Sequence, residues 1–445
     1  MSTGFKYIRF FDEIGIDDVP LVGGKCASLG EMYRELSRAG VRVPNGFAIT
    51  AEAYRRVLDQ AGAWDRLRAA LAGIDPADVQ DVARRAKRAR EIVYGAPFPL
   101  ELATEIVEGY QMLRAHYGRD LSLAVRSSAT AEDLPTASFA GQHESFLNVQ
   151  GDSSLLDACK RCFASLFTDR AILYRINNGF DHFKVFLSVA VMKMVRADLG
   201  SAGVAFSLDT ETGFRDVVFV TGAWGLGENV VQGSVDPDEF HVFKPTFRQG
   251  YRALLHRSLG AKKMKMVYGG EQGPTKNVET SEQEQRRFCL ADEEVLELAG
   301  AVIAIEEHYS KRAGGPRPMD VEWGRDGVEN KLYIVQARPE TVVSRRRPEL
   351  LEVYRLKRSA RPAVIGRAVG TRIAAGKARV IHDPADLQQF QPGEVLVADT
   401  TSPDWGTVMK TAGGIVTNRG GRTCHAAIVA RELGIPAVVG AENAT

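Results

Sequence analysis

Hydrophobic residues recur along this chain at two spacings, and the spacing changes several times between the ends. Helical spacing governs residues 31–39, and much of 51–118, where it is clearest over 82–93 and 101–117 and is broken by Pro97 and Pro99. It returns over Ser154 to Asn177, with Leu155, Leu156, Phe163 and Leu166 on one stripe. Strand patterns take over at residues 121–125, and again at 188–195, 203–207 and 216–221. The run Met319-Asp320-Val321-Glu322-Trp323 alternates with period two, and after the turn residues Asp326-Gly327 a second strand is predicted over Lys331 to Pro339. Residues 341–367 are charged and helical in character and read as a linker. Beyond them, strands at 378–381, 394–398, 414–417 and 435–439 interleave with helical segments at 384–390, 404–411 and 426–433, the mark of a small α/β domain.

Length and composition narrow the picture. A chain of 445 residues exceeds one core and points to several domains. Its 57 basic and 56 acidic side chains leave a net charge of +1, which gives no reason to expect nucleic acid or a membrane surface as partner. No apolar run has spanning length and the first residues lack a signal pattern, so the expected location is the cytoplasm. Five cysteines do not make a disulfide framework, and Cys159 with Cys162 falls on a helical stripe without further zinc ligands. Cys424 reads as a small buried residue.

Candidate chemistry lies in five places. In Val22-Gly23-Gly24-Lys25, a lysine ahead of a helix start opposes the helix dipole unless an anion lies between them. The strand 121–125 is expected to deliver Arg126 at its end, into a loop of small hydroxyl residues that continues through residues 137–145. There the planar guanidinium suits phosphate oxygens. Glu228, in the glycine-rich turn 224–233, is a candidate for a metal or a ribose hydroxyl. On the predicted hairpin, Asp320 and Glu322 share one face, as do Gln336 and Arg338. Carboxylate and carboxamide oxygens suit magnesium, and Arg338 could neutralise charge on transferred phosphates.

The fifth place is Gly420-Gly421-Arg422-Thr423-Cys424-His425-Ala426-Ala427. A strand precedes it and an alanine-rich helix follows, so His425 is predicted on the first helical turn, where unpaired N–H groups favour an anion. Imidazole is partly neutral at physiological pH and can attack phosphorus, while Arg422 and Thr423 can bind the same oxygens. The expected product is a phosphohistidine.

Residues 420–440, together with Val-Gly-Gly-Lys at 22–25, Ala-Val-Arg-Ser-Ser-Ala-Thr-Ala-Glu-Asp at 124–133, Ala-Ser-Phe-Ala-Gly-Gln at 137–142, Trp-Gly-Leu-Gly-Glu at 224–228, Met-Asp-Val-Glu-Trp at 319–323 and Ile-Val-Gln-Ala-Arg-Pro-Glu-Thr at 334–341, resemble the front part of the phosphoenolpyruvate synthases (pyruvate, water dikinases). The resemblance implies an α/β and α+β multidomain protein: an ATP-grasp-type nucleotide-binding domain over 1–345, a linker over 346–365 and a swivelling phosphohistidine domain over 366–445. By similarity Lys25, Arg126 and Arg338 bind the triphosphate of ATP and Glu322 and Gln336 hold Mg2+, with Asp320 and Glu228 as neighbours. His425 would attack the β-phosphorus, AMP would leave, water would remove the terminal phosphate, and pyruvate would receive the remaining group. Family members continue into a barrel that binds pyruvate and phosphoenolpyruvate, and this chain stops at Thr445, so it is expected to be a fragment. A pyruvate, phosphate dikinase, a dikinase with another acceptor and a non-catalytic phosphocarrier are the alternatives. A homodimer stays open.

Overall fold

A computed structural model describes residues 4–76, 78–130, 144–270, 273–341, 354–355, 361–370, 372–402, 405–422 and 424–445. The chain divides into two compact units: Met1–Val195 with Gly270–Thr275 and Val335–Arg338, and Arg196–Gly269 with Lys276–Ile334 and Pro339–Thr445. The mixed α/β character expected from the patterning is present in both. Among the described residues no helix is long and apolar enough to cross a membrane.

The first unit is built on an antiparallel sheet of five strands, in the order Ile8–Phe10, Gly46–Ile49, Leu187–Lys193, Leu123–Ala129, Ser145–Val149. Its central strand, Leu187–Lys193, is buried at every position, which explains why apolar residues there do not alternate. Helices Ala51–Gln60, Val79–Tyr94, Leu100–Tyr117 and Asp152–Ala164 contribute to one core with the sheet. Thr50 and Asp78 cap two of them through their side-chain oxygens. The single helical run expected over 154–177 is corrected to two helices. The first ends at Ala164, and Thr168 accepts from Ala171 N to start Asp169–Asn177. Cys159 and Cys162 are buried thiols inside the first of these, and burial pushes both above the ordinary thiol range, as a packing role requires.

The second unit holds a sheet of six strands, ordered Lys331–Pro339, Met319–Asp326, Ser201–Phe206, Val217–Trp224, Asp238–Phe243, Leu254–Ser258. The expected hairpin is present, and its second strand continues as Val335–Arg338 into the first unit. Trp323 is buried, and a Cβ on Gly222 would lie 2.6 Å from its ring, so that position takes only glycine without repacking. Two fully or nearly buried lysines are each paired: Lys262 with Asp238 at 2.6 Å and Lys244 with Glu306 at 2.6 Å.

Residues 366–445 of this unit form a further five-stranded sheet, ordered Arg367–Val369, Ala437–Val439, Gly414–Thr417, Val395–Ala398, Ala378–Val380. The last four strands run parallel and the first is antiparallel. Leu396, Ile415, Ala427 and Ala430 lie in its core. The helices expected at 384–390 and 404–411 shrink to a 3-10 segment, Pro384–Gln389, and a single turn, Gly406–Met409. Most of the linker 341–367 lies outside the described residues.

Candidate functional site

In the first unit the glycines before Lys25 do not form a loop ahead of the helix. The helix runs Val19–Glu35 and is kinked at Gly23, where φ is 71° and ψ 169°, so Lys25 stands just after the kink and inside the helix. This corrects the expectation that helical structure starts at residue 31. Only glycine adopts that backbone readily, and a Cβ there would lie 2.4 Å from the carbonyl oxygen of Ser128. Ser128 closes the kink: its hydroxyl accepts from Cys26 N at 3.1 Å and donates to Val22 O at 2.9 Å.

Arg126 is likewise shifted from its expected place. The strand extends over Leu123–Ala129, so Arg126 stands in its middle, with Ser127 and Ser128 continuing it. Lys25 Nζ donates to Ser127 O at 3.3 Å, and Arg126 Nη1 donates to Val335 O at 3.3 Å. Ser28 Oγ donates to Ala337 O at 2.7 Å. The kinked helix, the Arg126 strand and the segment Val335–Arg338 are thereby joined, and Lys25, Arg126, Gln336 and Arg338 belong to one assembly. Gln336 is buried, and among the described residues its carboxamide oxygen accepts no hydrogen bond. An orphaned buried acceptor is costly unless something electropositive meets it, which fits a hard cation. Among the described residues no cluster of three or more His, Cys, Asp or Glu could hold a metal by itself. The hydroxyl-rich loop after Arg126 falls mainly in residues 131–143, outside the described ones.

In the second unit Asp320 and Glu322 are half-buried on one face of Met319–Asp326, while Met319, Val321 and Trp323 are buried on the other, as the alternation requires. Glu228 opens a short helix, Glu228–Val231, within the glycine-rich turn. The turn is pinned by Gly225, at φ 85°, whose Cβ would lie 2.5 Å from Met266 O.

His425 is the first residue of the helix His425–Leu433, which ends at Gly434 in the left-handed conformation. Its Nδ1 lies 3.0 Å from the hydroxyl of Thr401, a buried residue at the end of the neighbouring strand region. Thr401 escaped the sequence reading; the only signal was the hydroxyl run Thr400-Thr401-Ser402 after a predicted strand. Cys424 is buried, and burial pushes its thiol up, which suits packing rather than reactivity. Arg422 has a buried Nε without a partner, and its carbonyl accepts from Arg431. Thr423 lies outside the described residues.

The histidine loop packs against the rest of its unit. A Cβ on Gly233 would fall 2.2 Å from Cys424 Cβ, and one on Gly421 would fall 2.7 Å from Pro237. Arg431 pairs with Glu211, whose other oxygen accepts from Gly370 N at 2.9 Å. Arg367 lies 2.9 Å from both Glu239 and Asp236. None of these pairs was visible in the sequence.

Two family models match the chain: "pyruvate phosphate dikinase, AMP/ATP-binding domain" over residues 19–357 and "PEP-utilising enzyme, mobile domain" over residues 390–445. Curated relatives named phosphoenolpyruvate synthase are similar over nearly all of it. That of Pseudomonas aeruginosa is 55% identical over 443 residues, covering 99% of this chain and 55% of the relative. Those of Helicobacter pylori and Escherichia coli are 52% and 53% identical, covering 99% and 98% of this chain and 55% and 54% of the relatives. The chain thus spans about half the length of the curated relatives it matches. With residues 19–357 matched by the first model, the chain belongs to the family of the pyruvate phosphate dikinase AMP/ATP-binding domain, followed by a segment matched as a PEP-utilising mobile domain.

Proposed function

We propose that this chain carries the ATP-consuming half of phosphoenolpyruvate synthesis: ATP, pyruvate and water give AMP, phosphoenolpyruvate and phosphate by way of a phosphohistidine. The observation that carries this is the joining of the kinked helix of Lys25, the strand of Arg126 and the segment Val335–Arg338 by three bonds to main-chain carbonyls, which gathers cationic groups in one assembly. Such a cradle suits a polyphosphate. We read residues 1–345 as an ATP-grasp-type domain and 366–445 as the mobile histidine domain, joined by a linker.

Lys25, Arg126 and Arg338 bind the triphosphate, with Asp320 and Glu228 as neighbours. Glu322 and Gln336 would hold Mg2+, which when bound would neutralise phosphate charge. Thr401 fixes the ring of His425: with the Nδ1–H donating to its hydroxyl, Nε2 carries the lone pair. Nε2 attacks the β-phosphorus and forms an N–P bond as the bond to the α-phosphate oxygen breaks and AMP departs. Water then displaces the terminal phosphate. Arg422 and Thr423 bind oxygens of the group left on His425. Pyruvate is the acceptor, at a barrel domain of the kind the longer relatives have room for, and the free thiols suit the cytoplasm.

The test uses ATP radiolabelled at the β-phosphate. The unaltered chain should release AMP and take up acid-labile label, and His425→Ala should do neither. Label that persists in His425→Ala, or AMP release without label, overturns the reading. Thr401→Val should slow labelling by about 10-fold or more through loss of ring orientation, without changing the affinity for ATP. A rate equal to the unaltered chain would remove Thr401 from the mechanism.

A further inference from the structure

Arg175, on the helix Asp169–Asn177 of the first unit, has a wholly buried side chain. Its Nε donates to His182 Nδ1 at 2.9 Å, but Nη1 and Nη2 are buried and make no hydrogen bond among the described residues. Three other buried cations behave differently: Lys262, Lys244 and Arg431 each bond a carboxylate. No carboxylate among the described residues pairs with Arg175. Arginine cannot escape by losing its proton, since burial lowers it only to about 10. A buried, uncompensated charge is among the least favourable groups a core can hold.

Among the described residues the surroundings supply more donors and no carboxylate bonded to Arg175, the Asp181 charge being felt by His182 instead. Arg175 and the Tyr54 hydroxyl sense each other electrostatically, and that hydroxyl is buried without a partner. The Tyr54 ring is fixed edge-on against Phe163 at 5.1 Å. His182 stays neutral, held down to about 4 by burial and by the Arg175 charge, and its Nδ1 lone pair is already used. Phe167 offers its ring face to the guanidinium at 5.5 Å, which attracts the cation without accepting a hydrogen bond. A water molecule could take these donors, but it would bring protons of its own that need acceptors and would leave the charge uncompensated. A monatomic anion needs no donors in return and cancels the charge.

We propose that Arg175 and Tyr54 form a binding site for a buried, chloride-sized anion that neutralises the core of the first unit. It is separate from the Lys25 and Arg126 cradle and independent of the catalytic reading. Its role is to complete the fold.

The direct experiment is a crystal structure of the unaltered chain, purified and crystallised in bromide. An anomalous peak within hydrogen-bond reach of Nη1, Nη2 and Tyr54 Oη supports the proposal, whereas density without an anomalous signal there overturns it. In solution, the melting temperature of the unaltered chain should rise with the logarithm of chloride concentration when gluconate holds the ionic strength constant. The double variant Arg175→Met, Tyr54→Phe should melt at a chloride-independent temperature. A flat response in the unaltered chain, or an equal slope in both, refutes the site, and the bromide structure decides if the variant does not fold.

Discussion

Around Lys25 the first unit is closed by side chains bonded to main-chain carbonyls, whereas around His425 the second unit is closed by ion pairs between side chains. The difference matters for what each region can do. A carbonyl acceptor belongs to a strand and cannot move without its strand, so Lys25 and Arg126 are placed as rigidly as the sheet itself. Arg431 with Glu211 and Arg367 with Glu239 tie residues 366–445 to the earlier part of the second unit through side chains alone, and such contacts can part and re-form without moving a strand. A cradle that must hold still is built the first way. The histidine domain proposed to swivel between two sites would be suited by the second.

The largest expected effect tests the rigid side. Gly23→Ala puts a Cβ 2.4 Å from Ser128 O in a backbone region closed to other residues, and should cost about 3 kcal/mol. Urea unfolding of the first unit should show the loss, and ATP binding should weaken with it. A variant of unchanged stability would mean that the kink relaxes freely and that the cradle is not rigid.

The movable side is sharpened by Glu211→Ala. Arg431 is nearly buried, with a side chain 4% exposed, while the Glu211 carboxylate keeps some contact with water at 16%. Removing the carboxylate should cost about 2 kcal/mol, less than the loss for a fully dry pair. The amide of Gly370, which donates to the same carboxylate, should exchange with solvent faster, and the urea midpoint of the first unit should stay where it is. Unchanged exchange at Gly370 would place the hold on the histidine segment elsewhere.

What could be read from the sequence follows the same division. The alternation around Glu322 and the helix start at His425 are local patterns, and each predicted its element to within a few residues, whereas Gly23-Gly24-Lys25 marks a kink inside the helix Val19–Glu35 and not its start. Arg126 was placed at a strand end because its small hydroxyl neighbours look like loop; Ser128 is instead in the strand, where its hydroxyl closes the Gly23 kink. Thr401 meets His425 across 24 positions and Arg431 meets Glu211 across 220, and no periodicity encodes such pairs. Fixed parts of the site leave marks in neighbouring residues, and contacts between surfaces do not.

The smallest effect separates an ion pair inside the histidine domain from those at its edge. Glu394 accepts from Arg379 Nε at 2.9 Å and Nη2 at 2.8 Å and from Gln391 N at 3.0 Å. The Arg379 bonds above all hold its carboxyl down to about 2, against an ordinary value of 4.5. Because the folded value is the lower one, the stabilisation is fully present above pH 4.5 and is lost as pH falls toward 2, where the unfolded chain takes up the proton first. Glu394→Gln should therefore melt slightly below the unaltered chain at neutral pH, and the gap should close across that acid window. The pair joins Ala378–Val380 to the turn before Val395–Ala398, within one sheet, so Gly370 exchange should not change in this variant. A gap that persists at pH 2 would trace the stabilisation to packing of the side chain, and faster exchange at Gly370 would show that the pair inside the domain and the pairs at its edge are coupled.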